Sequence, residues 1–484
     1  MKFYLILALS TFIVVNGQVL EPFRLSNYYT NGMVLQREPK SAVIWGYGEP
    51  GAEAVVSYES NRLSTIIDGN GKWNITLLPH AASGSIDFAV QQIGTFGLVT
   101  IPFKAMFGDV WVCSGQSNMA MPLRFIFNGS EEANRTISDY QHFQLRKVTD
   151  NYTLDEGEFE ETSFNYDWTS PNSDVTPNFS ALCVLFVQRL SDALNASIPF
   201  GLIDTTWPGT RIEAWSSPRV IETCNAPSDN ATNQNANSAL WKAMVAPLTK
   251  TSVRGVLWYQ GENNIDYNED YYACHILELI NDWKRSFFQG DVAAENGVAF
   301  PFGVVQNGPL FINHNYKWGD SRWHQTLDVG ILPNALAPEA FTGAVYDLTD
   351  HFSPTGSIHP RDKQTVADRL ANAAKKLLYN QNFSLYGPVP TNLVGDASGT
   401  WTIEYDRNIK LVGTLGFAFQ LPDGSYELTD VISTTSNSVT VTVSTNATQL
   451  VYAYSSYVCE YKDCAVYSDD AENLPAQVWK WQLS

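Results

Sequence analysis

Cysteine is scarce in this chain, with six residues in 484, and histidine is hardly more frequent, with seven. No two histidines stand in an H-x-x-x-H spacing and no Cys-x-x-Cys occurs, so no metal or other cofactor is expected. Basic residues are also in short supply: 30 Lys and Arg against 50 Asp and Glu give a formal charge of -20. So acidic a chain is repelled by nucleic acid and anionic membrane surfaces, and neither is expected as a partner. Its self-repulsion eases where carboxylates protonate, which suits an acidic compartment. Low-complexity tracts and internal repeats are missing as well. So are long apolar runs, apart from Phe3 to Val15. Preceded by Lys2 and followed by Asn16-Gly17, that run is too short for a comfortable membrane span and reads as a secretory leader over residues 1–17.

What is present fits that route. Nine Asn-x-Ser/Thr sequons, at Asn74, Asn128, Asn134, Asn151, Asn178, Asn195, Asn230, Asn382 and Asn446, predict N-linked glycans on a protein of the lysosome or the cell exterior. In an oxidising compartment the six cysteines can pair, and the short loop between Cys459 and Cys464 predicts a bridge there. The partners of Cys113, Cys183, Cys224 and Cys274 stay open, with Cys113 read as a small buried hydrophobe.

Length predicts two or three domains. Residues 18–106 carry short alternating segments such as Val43-Ile44-Trp45, Val55-Val56-Ser57-Tyr58 and Trp73-Asn74-Ile75, broken by Gly-Glu-Pro-Gly and Asp-Gly-Asn-Gly turns. They read as an antiparallel β domain. From 107 to 384 apolar strands (Asp109–Cys113, Pro199–Asp204, Val253–Tyr259, Pro301–Gln306, Gly343–Leu348) alternate with helical periods at Ala181–Leu194, Tyr271–Phe288 and a helix opened by Pro360. That grammar predicts an α/β region, a parallel sheet with helices on both faces and its ligand crevice at the strand C-termini. Residues 125–178, polar and rich in sequons, read as a surface insertion, and 385–484 as a closing β region with strands at Thr400–Tyr405 and Val439–Val443.

Chemistry gathers at the strand ends. The strand Val110-Trp111-Val112-Cys113 breaks into Ser114-Gly115-Gln116-Ser117-Asn118, presenting the Ser117 hydroxyl as a nucleophile candidate. After the next strand, Gly209 offers an unhindered backbone N–H of the kind an oxyanion hole needs, and after the third, Gln260-Gly261-Glu262-Asn263-Asn264 offers side-chain amides. After the last strand, Asp347, Asp350, His351 and His359 lie within thirteen residues. His359, at a loop-to-helix junction, is the expected base, with His351 in reserve.

The order Ser, Gly, Gln/Asn, His is that of the SGNH hydrolases. Gly108–Met119 (GDVWVCSGQSNM), Gly209–Trp215 (GTRIEAW), Trp258–Glu262 (WYQGE) and Ile358–Lys363 (IHPRDK) resemble the signature blocks of the sialate O-acetylesterases, as does Gly32–Arg37 (GMVLQR) ahead of them. The resemblance implies an SGNH-like fold and a serine carboxylesterase acting on O-acetylated sialic acids, with no metal. Acetylated polysaccharides such as acetyl-xylan are the alternative substrates, and a non-catalytic carbohydrate-binding relative is the rival class. It assigns Ser117 as nucleophile, His359 as base, and the Ser117 and Gly209 backbones with the Gln260 amide as oxyanion donors. Gln116, Asn118, Arg211 and Glu262 are expected at the substrate. Arg211 would meet the sialate carboxylate, or else pair with Glu213 or another acid. Trp207, Trp215, Trp258 and Tyr259 are expected either to stack on sugar or to lie in the core. One departure stands out. SGNH enzymes commonly carry an aspartate two or three residues before the histidine, where this chain has Gly356 and Ser357. The orienting group is therefore expected to be Asp347 first, then Asp350, with a backbone carbonyl or a bare Ser–His dyad as alternatives.

Overall fold

The structure, a computed structural model, describes residues 13–15, 18–20 and 22–483 except 96, 195–197, 289–299, 312–313 and 397. Most of the expected leader (1–12 and 16–17) and the Asn195 sequon lie outside the described residues.

At its centre is a parallel sheet in the order Phe143–Lys147, Phe200–Thr206, Gly97–Gly115, Gly255–Tyr259, Phe302–Val305, Ala340–Gly343. Phe200–Thr206 and Gly255–Tyr259 are buried at every residue, as strands covered on both faces must be. Their side chains alternate between two cores. Val110, Val112, Val256 and Trp258 face one side, with Ile276, Leu279 and Trp283 of the helix Tyr272–Ser286. Trp111, Cys113, Leu257 and Tyr259 face the other, with Leu182, Leu185, Val366 and Leu370 of the helices Ala181–Ala193 and Lys363–Tyr379. The mixed sheet with helices on both faces is the expected α/β class.

Four local expectations are corrected. The strand Gly97–Gly115 runs for 19 residues across the expected boundary at 106/107. Its first half pairs antiparallel with Ser83–Gly94 and parallel with Met33–Gln36, and its second half forms the centre of the α/β sheet. The stretch 125–178 is not only an insertion, because it contributes the helix Gly129–Asp139 and the edge strand Phe143–Lys147. That strand was hidden by its polar letters: Arg146 is buried by hydrogen bonds to Thr30 Oγ1 (2.7 Å) and the Asn27 carbonyl (2.8 Å). The last parallel strand is Ala340–Gly343, and the buried Val345 and Leu348 beyond it belong to the crevice loop. The final helix begins at Lys363, three residues after Pro360, where Asp362 caps it by accepting from the Thr365 N–H (2.9 Å).

All six cysteines are bridged, Cys459 with Cys464 as expected, Cys224 with Cys274, and Cys113 with Cys183. The last bridge makes Cys113 a tie between the central strand and the helix Ala181–Ala193. The chain closes in small antiparallel sheets between Pro390 and Gln482 around their own core.

Candidate active site

The central strand ends where two neighbours crowd it. Gly115 lies between Thr206 and Tyr259, and a Cβ there would come within 2.2 Å of the Tyr259 carbonyl oxygen. Its φ of +131° also requires glycine. The backbone then turns on the Gln116 N–H to Tyr259 carbonyl bond (3.0 Å) into a one-turn helix, Ser117–Ala120. Ser117 is its first residue, so its N–H has no acceptor within the helix.

Ser117 Oγ is 2.8 Å from His359 Nε2, although 242 residues separate them in the chain. The other ring nitrogen, Nδ1, lies 2.7 Å from the Thr355 carbonyl. A carbonyl only accepts, so Nδ1 carries the proton and Nε2 is left as the acceptor for the serine hydroxyl. The histidine loop is tightly self-bonded: the His359 N–H donates to Gly356 O (2.9 Å) and Ser353 Oγ donates to His359 O (2.7 Å). His359 is half-buried, and this burial lowers its pKa below the usual imidazole value. The Thr355 carbonyl opposes the shift and the nearby Lys363 charge adds to it.

Neither aspartate orients this histidine, which corrects the expectation for Asp347. Asp347 is fully buried and spent on Arg369 (2.6 and 2.7 Å) and the Tyr467 hydroxyl (3.0 Å). Asp350 forms a bidentate pair with Arg361 (2.7 and 2.8 Å). In the reserve position, His351 turns to Glu460 at 2.7 Å. The orienting group is the carbonyl of Thr355, an atom that every residue possesses and no sequence motif can mark.

Gly209 sits in an exposed turn with φ +72° and open space where a Cβ would be. Its carbonyl is held by Asn263 Nδ2 (2.9 Å) and Asn235 Nδ2 (3.1 Å), which fixes the backbone on one side of it. The turn lies beside the serine, because the Trp207 N–H donates to Gly115 O (3.0 Å). Gln260 has a different employment from the one expected. It is fully buried, and its amide nitrogen is taken by Asn264 Oδ1 (2.8 Å), the Thr210 carbonyl (3.0 Å) and Gln116 Oε1 (3.3 Å). With two hydrogens and three acceptors it has none to spare for an oxyanion, and it joins the serine turn to the Gly209 turn.

Asn118 is likewise a brace and is buried, contrary to the expectation that it meets substrate. It donates to Glu262 Oε1 (2.6 Å) and to the Ile358 carbonyl (2.9 Å) and accepts from Lys363 Nζ (2.7 Å). Glu262 Oε2 is left without a partner, and burial raises the pKa of this carboxyl. Arg211 pairs with Asp229 (2.5 Å), not Glu213, and stacks 3.5 Å from the Tyr267 ring centroid. Trp215, Trp258 and Tyr259 are core, whereas Trp207 is half-buried and meets the exposed Tyr152 edge-on at 6.2 Å. Tyr152, Asn235, Asp229 and Thr355 were missed in the sequence because they come from loops of no periodicity. Lys363 stood in view at the end of the IHPRDK block without a role.

A serine–histidine pair at the C-terminal edge of a parallel sheet, flanked by a glycine turn, is the arrangement of an SGNH-type esterase. The chain matches two family models: "Carbohydrate esterase, sialic acid-specific acetylesterase" over residues 107–294 and "Sialate O-acetylesterase C-terminal domain" over 392–483. The sialate O-acetylesterase of Mus musculus is 34% identical over 519 aligned residues, covering 96% of this chain and 95% of its own. That of Homo sapiens is 36% identical over 488, covering 94% and 91%. The solved structure of a carbohydrate acetylesterase from Xanthomonas citri superposes with a TM-score of 0.79 at 23% identity, over 95% of this chain and 99% of that one, and shares the fold. The chain belongs to the sialate O-acetylesterase family and is a carboxylic ester hydrolase.

Proposed function

We propose that the protein removes O-acetyl groups from sialic acids by acyl transfer to Ser117. The observation that carries this reading is the 2.8 Å contact between Ser117 Oγ and His359 Nε2. As Oγ attacks the acetyl carbonyl, its proton passes to Nε2, and the imidazolium is steadied by the Thr355 carbonyl at Nδ1. The oxyanion is received by the N–H groups of Ser117 and Gly209. His359 then returns the proton to the departing sugar oxygen, and water repeats the sequence to release acetate. Arg211 is suited to the sialate carboxylate, since its ion pair with Asp229 is partly solvated and such pairs exchange at little cost. Tyr152 and Trp207 offer the sugar an apolar face.

Acetate release from O-acetylated sialoglycan and from acetyl-xylan tests the substrate. Preference for the former is expected, and equal turnover of both would reject sialate specificity. Arg211→Ala is expected to weaken turnover of acetylated sialic acid more than that of p-nitrophenyl acetate. Equal effects would remove Arg211 from the site. Labelling of Ser117 by a fluorophosphonate separates the enzyme from a non-catalytic binding relative.

A further inference from the structure

Lys363 is a fully buried lysine whose ammonium bonds two neutral oxygens, Asn118 Oδ1 at 2.7 Å and the Pro360 carbonyl at 2.9 Å. It lies 5.2 Å from the Tyr259 ring centroid. Asn118 directly follows Ser117, and Pro360 directly follows His359. One ammonium therefore grips the chain a single residue beyond each member of the pair. The grip is doubled by Asn118, whose amide donates to the Ile358 carbonyl on the other side of His359 (2.9 Å). A buried ammonium is costly to desolvate, and this one is spent on two oxygens that belong to the immediate neighbours of the pair.

We propose that Lys363 is the positioning residue that sets the Ser117–His359 distance by holding the residue next to each. The inference rests on the Ser117–His359 reading above. The clamp acts because an error of about 1 Å between nucleophile and base costs on the order of 10²-fold in rate. The charge acts because a cation beside His359 opposes formation of the imidazolium. The other charges around the histidine do not substitute for it. Arg361 and Asp350 neutralise each other in a bidentate pair, while Glu262, which shares Asn118 with Lys363, and Asp362, bound by Tyr461 and Lys462, are the carboxylates that favour the ammonium. Burial pushes Lys363 itself down to about 7, and the Glu262 and Asp362 carboxylates oppose the shift.

The test compares Lys363→Met and Lys363→Gln in the full chain on p-nitrophenyl acetate. Lys363→Met leaves the Asn118 Oδ1 and Pro360 carbonyl without their donor, so it is expected to lose some stability, and in its folded fraction to lose about 10²-fold in kcat with KM nearly unchanged. Lys363→Gln keeps a hydrogen-bond donor, so it should lose less kcat. In both variants the acid limb of kcat/KM should move to higher pH, because the opposing charge is gone. Wild-type kcat in Lys363→Met, or reduced kcat with an unmoved acid limb, would overturn the proposal. If the Met variant does not fold, the acid limb of Lys363→Gln decides alone. Ser117→Ala measured in parallel separates the two claims. Activity in that variant would reject the site itself, whereas its inactivity beside a fully active Lys363→Met would reject Lys363 only.

Discussion

The two halves of the Ser117–His359 pair are held in opposite ways. Ser117 stands on the end of a strand pinned by parallel neighbours on both sides, where the backbone alone leaves one path, through Gly115. His359 stands in a loop without regular structure, fixed by hydrogen bonds to Thr355, Gly356 and Ser353 and by the grip of Asn118 and Lys363 on its neighbours. Ser117 is placed by the sheet and His359 by a web of polar contacts. The first arrangement is intolerant of added bulk. The second degrades bond by bond.

Substitutions can break this contrast. Ser117→Ala should reduce turnover of p-nitrophenyl acetate by at least about 10³-fold without altering the fold, and near-wild-type turnover would reject the nucleophile assignment. Gly115→Ala, which adds one methyl against the Tyr259 carbonyl and forces an L-residue to φ +131°, should cost about 4 kcal/mol in denaturant unfolding. Asp347→Asn removes the charge that matches buried Arg369 and should cost about 3 kcal/mol of stability. Its kcat per folded molecule should stay close to wild type, and a large kcat loss would return Asp347 to the catalytic group. Ser353→Ala deletes one bond to the His359 carbonyl and should lower kcat by about fivefold at most.

The acid side of the wild-type pH profile sharpens the picture further. Burial disfavours the imidazolium of His359, so the free base persists to lower pH. The acid limb of kcat/KM should therefore fall below the ordinary histidine value of about 6.5. A limb above that value would show that the loop does not shield the ring as described.

Much of the α/β region was legible because periodicity writes itself into sequence. The buried runs at 200–206 and 255–259 and the helices at 181–193, 272–286 and 363–379 all carry it. The edge strand at 143–147 was not legible, since Gln144, Arg146 and Lys147 look like loop residues until Thr30 and Asn27 are brought to Arg146. The chemistry divided along the same line. Ser117 and His359 could be paired from the sequence, because the contact they make is between side chains that the letters themselves name. Asp347 was misplaced, because a carboxylate near the histidine in sequence could not be distinguished from one committed to Arg369. Gln260 looked like a donor in its motif and lies buried among acceptors only once the chain has folded.

The 19-residue strand from Gly97 to Gly115 carries a final implication for how this protein can be divided. Its two halves serve different pairings, joined through a break in register between Ala105 and Phe107. A fragment starting at 107 would open inside that strand, shorn of Met33–Gln36 and Ser83–Gly94, which flank its first half. Hybrids that exchange the amino-terminal β region have to carry the first half of this strand with it. The catalytic part is thus no detachable cartridge, and joints for engineering belong in its loops.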